Sequence, residues 1–324
     1  MRLRRLGSWK GLFYGAVIPA LRRLDPARAD VVLGALGRLF CDRRRRLLEQ
    51  SILQAREALG TSWDAAAVRS ALAANTPRLL ARDLLLDHLD DADAFARFEL
   101  EGLENLEAAR AGGRGVVLLG SHFGAYIAAL HWLDRRGLPL RLLVQRPTHA
   151  SRRLLARFDA DDPRFPQRAF TLRRGMRPGE ASRCVLLARD ALRAGFAVYL
   201  KGDVPHEAAG SQPGQLLGRH LPFAAVWADL ARVTGAPVVP VFCVPRPAGR
   251  FRLTFEPPWS LTATDPARAV AAYLRRLEAW IAREPGAALA HLSWPALRPE
   301  RTVPAKMAAT DRRAGHAAKM TSLG

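Results

Sequence analysis

The stretch Gly113 to Leu133, GRGVVLLGSHFGAYIAALHWL, limits the folds open to this chain more than any other. Val116, Val117, Leu118 and Leu119 form a continuous apolar run that stops at Gly120 and Ser121, and Ala125 to Leu133 then takes up helical spacing. An apolar run without alternation is a strand covered on both faces, and a strand that turns directly into a helix belongs to a layered α/β architecture. His122 lies in the turn, at the carboxyl end of the strand and beside the helix start. Open α/β sheets carry their ligands there, which makes His122 the leading catalytic candidate.

The pattern repeats downstream. Leu140 to Gln145 is a second apolar strand that ends at Arg146 and Pro147, and strand, helix and strand in that order make a βαβ unit and hence a parallel sheet. Arg152 to Phe158 reads as helix, Asp159 to Pro166 as loop, Ala169 to Leu172 as a short strand and Glu180 to Ala194 as an amphipathic helix. Ala197 to Leu200 is again an apolar strand, and it runs into Lys201, Gly202, Asp203, Val204, Pro205, His206 and Glu207. Polar groups just past a second strand end form the second candidate site. Gly210 to Gly218 is expected to be mobile, and Arg219 to Phe223 closes it before the helix Ala224 to Thr234. Val238 to Val244 follows as a strand, with Phe251 to Phe255 as its antiparallel partner, and Pro266 to Arg283 is a long amphipathic helix.

Upstream of the organising stretch the text is helical. Ala27 to Leu59 carries the charge run Arg43 to Arg46, read as a solvated helix end. Trp63 to Leu86 is expected to break at Asn75 and Pro77, Asp87 to Asp93 is an acidic turn, and Phe98 to Leu103 leads into a short helix, Glu104 to Ala111. The expectation is therefore an α/β domain over residues 27–298, with a central, mostly parallel sheet flanked by helices. A basic helical segment over 1–26 precedes it, and an Ala-, Lys-, Arg- and Thr-rich tail over 299–324, read as disordered, follows.

Composition narrows the partners. The formal net charge of +20 attracts polyanions, whether nucleic acid, anionic lipid or an acidic carrier protein. Met1 to Leu24 sets Arg2, Arg4, Arg5, Lys10, Arg22 and Arg23 around Trp9, Leu12, Phe13, Tyr14, Val17 and Ile18, a composition suited to the face of an anionic bilayer. No apolar run reaches the roughly 18 residues of a spanning helix. A nucleic-acid partner is set aside because there is no zinc-finger pattern, no aromatic RNA-recognition signature and no basic helix with clustered polar readers. The 3 cysteines, Cys41, Cys184 and Cys243, are far apart and lack ligand spacing, so neither a disulfide framework nor a metal site is indicated. GSHFG has His where a serine-hydrolase elbow needs Ser. His131 reads as a packed or surface histidine, His206 and His220 as loop residues, and Ser121 as a cap for the following helix.

Taken in order, GSHFG, QRP, KGD, LGRHLPF and RVTGAPVVPVF, with a basic start and a terminal amphipathic helix, resemble the lipid A biosynthesis lauroyl/myristoyl acyltransferase family within the lysophospholipid acyltransferase superfamily. The resemblance spans roughly Leu33 to Trp294. It implies a membrane-associated enzyme at the cytoplasmic face of the bacterial inner membrane. Such an enzyme moves a fatty acyl group from an acyl carrier protein or coenzyme A thioester to a hydroxyl of a glycolipid or lysolipid, without metal or organic cofactor. Arg146, Lys201 and Arg219 match positions where such enzymes place polar or basic groups, suited to a lipid or pantetheine phosphate. The family's catalytic pair is a His followed, after four residues, by an Asp or Glu. The His matches His122, but the acidic position holds Ile127.

An Ile cannot fix an imidazole tautomer or stabilise an imidazolium, as the acid of such a pair does. Three readings stay open on the sequence. A carboxylate from elsewhere substitutes, with Asp203 best placed by topology and Glu207 behind it; the enzyme works without an orienting acid; or the chain is a non-catalytic, lipid-binding relative. In the first, His122 takes the proton of the acceptor hydroxyl, Asp203 orients it, and backbone amides of Gly120 to Gly124 hold the oxyanion.

Overall fold

The computed structural model describes residues 9–299, apart from 42–44, 174, 208–209 and 262–264. Its strands are Phe98–Glu101 (β1), Val116–Gly120 (β2), Leu140–Leu142 (β3), Ala197–Lys201 (β4), Gln212–Leu216 (β5), Arg219–Phe223 (β6), Val238–Arg246 (β7) and Arg250–Phe255 (β8). Six of these form one sheet in the order β1-β8-β7-β2-β4-β3, and β5 pairs with β6 in a separate hairpin. β7, β2, β4 and β3 run parallel, β8 returns antiparallel to β7, and β1 runs parallel to β8. The chain is thus α/β with a mostly parallel sheet, as expected. The βαβ unit read from β2 and β3 is not a neighbouring pair, because β4 lies between them.

The uninterrupted apolar runs are explained by what covers each face. Successive side chains of a strand point to opposite faces. Val117, Leu119, Val198, Leu200, Val238 and Phe242 join one core with the helices Pro178–Arg193, Val226–Thr234 and Pro266–Arg283. Val116, Leu118, Ala197, Tyr199, Val239 and Val241 join a second core with Leu103–Ala111, Tyr126–Arg135 and Arg152–Asp159. Each large side chain buried this way stabilises by about 1.5–3 kcal/mol. The carboxyl ends of β2 and β4 therefore emerge from a rigid sandwich.

A third core, Phe13, Ile18, Leu21, Ala29, Leu33, Ala81 and Leu84, packs helical residues 9–21 and the helix Pro26–Cys41 against Ala65–Ala81. On the first two, Trp9, Leu12, Val31, Val32 and Leu39 are exposed. Among the described residues no helix is long and apolar enough to cross a membrane.

Several local expectations need correction. Ala65–Ala81 continues through Asn75 and Pro77 without a break. Proline removes the N–H that would pair with the Ala73 carbonyl, and Gly37 crosses at that level, where a Cβ would collide with the same carbonyl. Close helix crossing thus offsets the lost hydrogen bond. Gly210 to Gly218 is not a loose loop: Gln212–Leu216 is a strand, joined to β6 by Leu217 and Gly218, at φ 51° and 79°. Two positive φ angles make the hairpin turn that Asn-Gly usually announces, and the Leu217 N–H donates to Glu278 Oε1 at 2.7 Å. Ala169 to Leu172 is mostly a 3-10 turn, Gln167–Phe170, with only a bridge from Leu172 to Gln145. Within the acidic stretch Asp87 to Asp93, a short helix, Asp91–Phe95, is capped by Asp90. The start of the 1–26 segment, most of the Arg43 to Arg46 run and the tail from residue 300 lie outside the described residues.

Candidate active site

Register brings the two candidate strand ends together. β2 and β4 pair in parallel with Gly120 opposite Lys201, so the second residue beyond each strand, His122 and Asp203, emerges at the same level. The junction is tight: the Gly120 carbonyl accepts from the Gly202 N–H at 2.9 Å and from the Tyr273 hydroxyl at 2.6 Å. A Cβ on Gly120 would strike the Tyr199 ring end. The motif's second glycine, Gly124, has φ +64°, and a Cβ there would run into the Cys243 carbonyl oxygen. Only glycine lets the chain turn from β2 into the helix with His122 on the outside of the bend.

Asp203 is fully buried and holds His122 at two points. Its Oδ2 accepts the His122 backbone N–H at 2.8 Å, and its Oδ1 lies 3.1 Å from His122 Nδ1. A second imidazole, His291 on the helix Leu289–Ser293, places Nε2 2.9 Å from Oδ2 and is itself 0% exposed. Burial by itself would raise the Asp203 carboxyl. The His122 charge and the hydrogen bonds from both histidines outweigh it and hold Asp203 well below the usual carboxylate range. An ionised carboxylate only accepts, so His122 Nδ1 and His291 Nε2 both carry hydrogens. His122 Nε2 is then the lone-pair nitrogen, and among the described residues it has no hydrogen-bond partner.

The imidazole of His122 has a 19% exposed side chain. Burial lowers its pKa, Asp203 opposes that, and the charge of Lys201 adds to the lowering. Neutral imidazole is therefore the ground state at neutral pH, as a general base requires. Tyr126 and Trp294 stand edge-on to the ring at centroid distances of 6.0 and 5.1 Å, and Lys201 Nζ lies 3.6 Å above the Tyr126 ring.

Three of the backbone amides expected to hold an oxyanion, those of His122, Phe123 and Gly124, are already engaged. The N–H groups of His122, Phe123, Gly124 and Ala125 donate in turn to Asp203 Oδ2, Ser121 Oγ, the Ala287 carbonyl and the Cys243 carbonyl. Ser121 thus closes a small turn instead of capping the helix, whose N-cap Ala125 has no side-chain bond. Ile127, at the position of the family's acid, is 4% exposed and belongs to the second apolar core.

The remaining candidates divide. Lys201 lies at the site. Arg146 is exposed and donates to Asp159 Oδ2 at 2.8 Å. Arg219 Nη1 donates to the Pro295 and Arg298 carbonyls at 3.0 and 3.1 Å, fastening the β5–β6 hairpin to the segment that carries Trp294. His206, Glu207 and His220 are exposed. His131 is wholly buried on the helix Tyr126–Arg135. No group of three or more His, Cys, Asp or Glu among the described residues is arranged to hold a metal ion. Sequence reading missed His291, which shares no motif with a carboxylate 88 positions away.

No curated protein matches the sequence. The family model for bacterial lipid A biosynthesis acyltransferases matches residues 2–287, a span that takes in both strand-end loops, and the chain belongs to that family.

Proposed function

We propose that this chain transfers a fatty acyl group from an acyl carrier protein or coenzyme A thioester to a hydroxyl of a lipid A precursor, at the cytoplasmic face of the inner membrane. His122 Nε2 takes the acceptor's hydroxyl proton while the oxygen attacks the thioester carbonyl. The tetrahedral intermediate then collapses, the carbon–sulfur bond breaks, and the imidazolium returns the proton to the departing thiolate. Asp203 fixes the Nδ1–H tautomer and stabilises the imidazolium. Positioned base catalysis of this kind contributes roughly 10²- to 10⁴-fold in rate. With the turn amides engaged, the ammonium of Lys201 supplies positive charge for the oxyanion or for a substrate phosphate. Arg146 and Arg219 are proposed to meet the phosphates of the donor or the acceptor, beside the contacts they already make.

The single observation that carries this reading is the 3.1 Å contact from His122 Nδ1 to a buried carboxylate, Asp203 Oδ1. Asp203 stands in for the acid missing at Ile127. Membrane placement is supported by exposed Trp9, Leu12, Val31, Val32 and Leu39, interspersed with exposed Lys10, Arg23, Arg28 and Arg38. Apolar and basic side chains together suit an anionic bilayer surface.

The test is transfer of a labelled acyl chain from carrier protein or coenzyme A into a total lipid extract on anionic vesicles, comparing the native chain with His122→Ala. Incorporation by the native chain alone is expected. Equal incorporation by both removes His122 from the mechanism. No incorporation by either assigns the chain to the non-catalytic, lipid-binding reading that Ile127 favours. Tight duplex DNA binding without vesicle sedimentation overturns the membrane placement.

A further inference from the structure

The segment from Pro285 to Arg298 meets the site at several points. The Ala287 carbonyl accepts from the Gly124 N–H at 3.1 Å, His291 reaches Asp203, the Trp294 ring meets the His122 ring, and the Pro295 and Arg298 carbonyls are held by Arg219. The family match ends at residue 287, so His291 and Trp294 lie beyond it.

We propose that His291 is a positioning residue: its Nε2–H holds Asp203 Oδ2 so that Oδ1 stays aligned with His122 Nδ1. The inference rests on the acyltransferase reading of His122. Asp203 Oδ2 receives two donors, the His122 backbone N–H and His291 Nε2, while Oδ1 receives one. Rotation of the carboxylate would break all three contacts together. His291 Nδ1 is buried without a partner among the described residues. A bare acceptor there is less costly than an unpaired N–H, so the tautomer with its hydrogen on Nε2, directed at Asp203, is the favoured one. That hydrogen bond draws electron density from the carboxylate. The other groups that face the His122 ring are Asp203 and Lys201 from the β4 end and Tyr126 and Trp294 from either side.

The direct test is the titration of the His122 imidazole, followed by NMR on ¹⁵N-histidine protein without substrate, in the native chain, His291→Leu and His291→Gln. In the native protein the spectrum should show His291 as the Nε2–H tautomer, and Asp203→Asn should move that resonance. Loss of the donor in His291→Leu leaves a more basic carboxylate, so His122 should titrate at higher pH. The acyl-transfer kcat should fall about 10- to 100-fold with KM little changed. His291→Gln, whose amide can reach Oδ2, should restore most of the titration and part of kcat. An Nδ1–H tautomer in the native protein overturns the proposal. So does an unshifted His122 titration in a folded His291→Leu. Because the tautomer and titration need no acyl transfer, a protein inactive toward every donor but showing both effects would refute the acyltransferase reading and leave the positioning role standing.

Discussion

Two histidine–aspartate clusters lie within nine positions of each other in sequence, and they differ in what their rings leave available. At the strand ends, His122 has one nitrogen on Asp203 and one with no partner among the described residues. Inside the protein, His131 Nδ1 lies 3.2 Å from Asp83 Oδ2 and 3.1 Å from Ser151 Oγ, and its Nε2 accepts from Arg135 Nε at 2.8 Å. By composition the second cluster is the better match to a hydrolase triad, with Ser, His and Asp all 0% exposed. By geometry it cannot act as one. A triad places Ser and Asp on opposite nitrogens, whereas here both share Nδ1 and an arginine occupies the other. Ser151 Oγ also caps the helix Arg152–Asp159 by accepting from Leu154 N–H at 3.0 Å, and Ser151 N–H donates to Asp83 Oδ1 at 3.0 Å. The inner cluster fastens the helix Tyr126–Arg135 to the turn after Ala65–Ala81 and to the N-cap of Arg152–Asp159. A lone pair on a partly exposed ring separates the outer one from it.

Exchanging the lesions would break this comparison most sharply. His122→Ala should lower acyl transfer by roughly 10²- to 10⁴-fold at a smaller cost in thermal stability, since its ring is partly exposed and Asp203 keeps the backbone N–H at position 122 and His291. His131→Ala should do the reverse, because removing one partner of a buried pair leaves Asp83 uncompensated at a cost of about 3–5 kcal/mol. Differential scanning calorimetry beside the vesicle assay separates the two. Asp203→Asn belongs with His122, with kcat lowered by about 10²- to 10⁴-fold through the wrong tautomer. If His131→Ala destroyed activity in a protein that still folded, the division into working and fastening clusters would fail.

Ile127 sharpens the same contrast. If Asp203 has taken over the acid's role, restoring a carboxylate with Ile127→Glu should gain nothing and should destabilise, because the position lies in an apolar core. An unpaired buried charge, or a carboxyl forced to stay protonated, costs several kcal/mol. Urea denaturation should show a loss of roughly 3 kcal/mol or more. A gain in kcat on that substitution would show instead that His122 is short of an acid and that Asp203 is mainly structural.

These residues also show what a single sequence can and cannot reveal. The β2 and β4 runs were legible because both faces are buried and alternation disappears, and His122 and Asp203 because each follows such a run directly. Their contact then needs only the parallel register, Gly120 opposite Lys201. The β5–β6 hairpin was hidden because Leu217-Gly218 replaces the usual turn pair, with Glu278 holding the strained leucine from another element. The straight course through Pro77 depends on Gly37, far away in sequence. The oxyanion expectation fell short for a similar reason: the His122 and Gly124 amides, which look free in GSHFG, are engaged by Asp203 and Ala287. Non-local partners decide each of these cases, and periodicity does not report them.

The smallest effects concern pH, at the outer cluster. Asp203 is held below its ordinary range, so it contributes stability at neutral pH that is lost as pH falls below the unfolded carboxylate value near 3.9. His122 is lowered as well, so between its folded value and the unfolded value near 6.5 the unfolded chain binds the extra proton and stability again falls with pH. Both slopes have the same sign: Tm should rise with pH up to about pH 7, and Asp203→Asn should remove the part of the rise below about pH 4 while steepening the His122 part, since Asp203 holds the imidazole up. In the rate, the acid limb of kcat/KM should lie below 6.5, since only neutral His122 accepts a proton. Lys201 contributes to that lowering by its charge. Lys201→Met should therefore move the limb upward toward the ordinary imidazole value, a shift measurable on a pH profile even where the rate at neutral pH changes only modestly. A limb that stays fixed would mean that Lys201 does not influence the base, leaving it only the charge it offers to the oxyanion or a substrate phosphate.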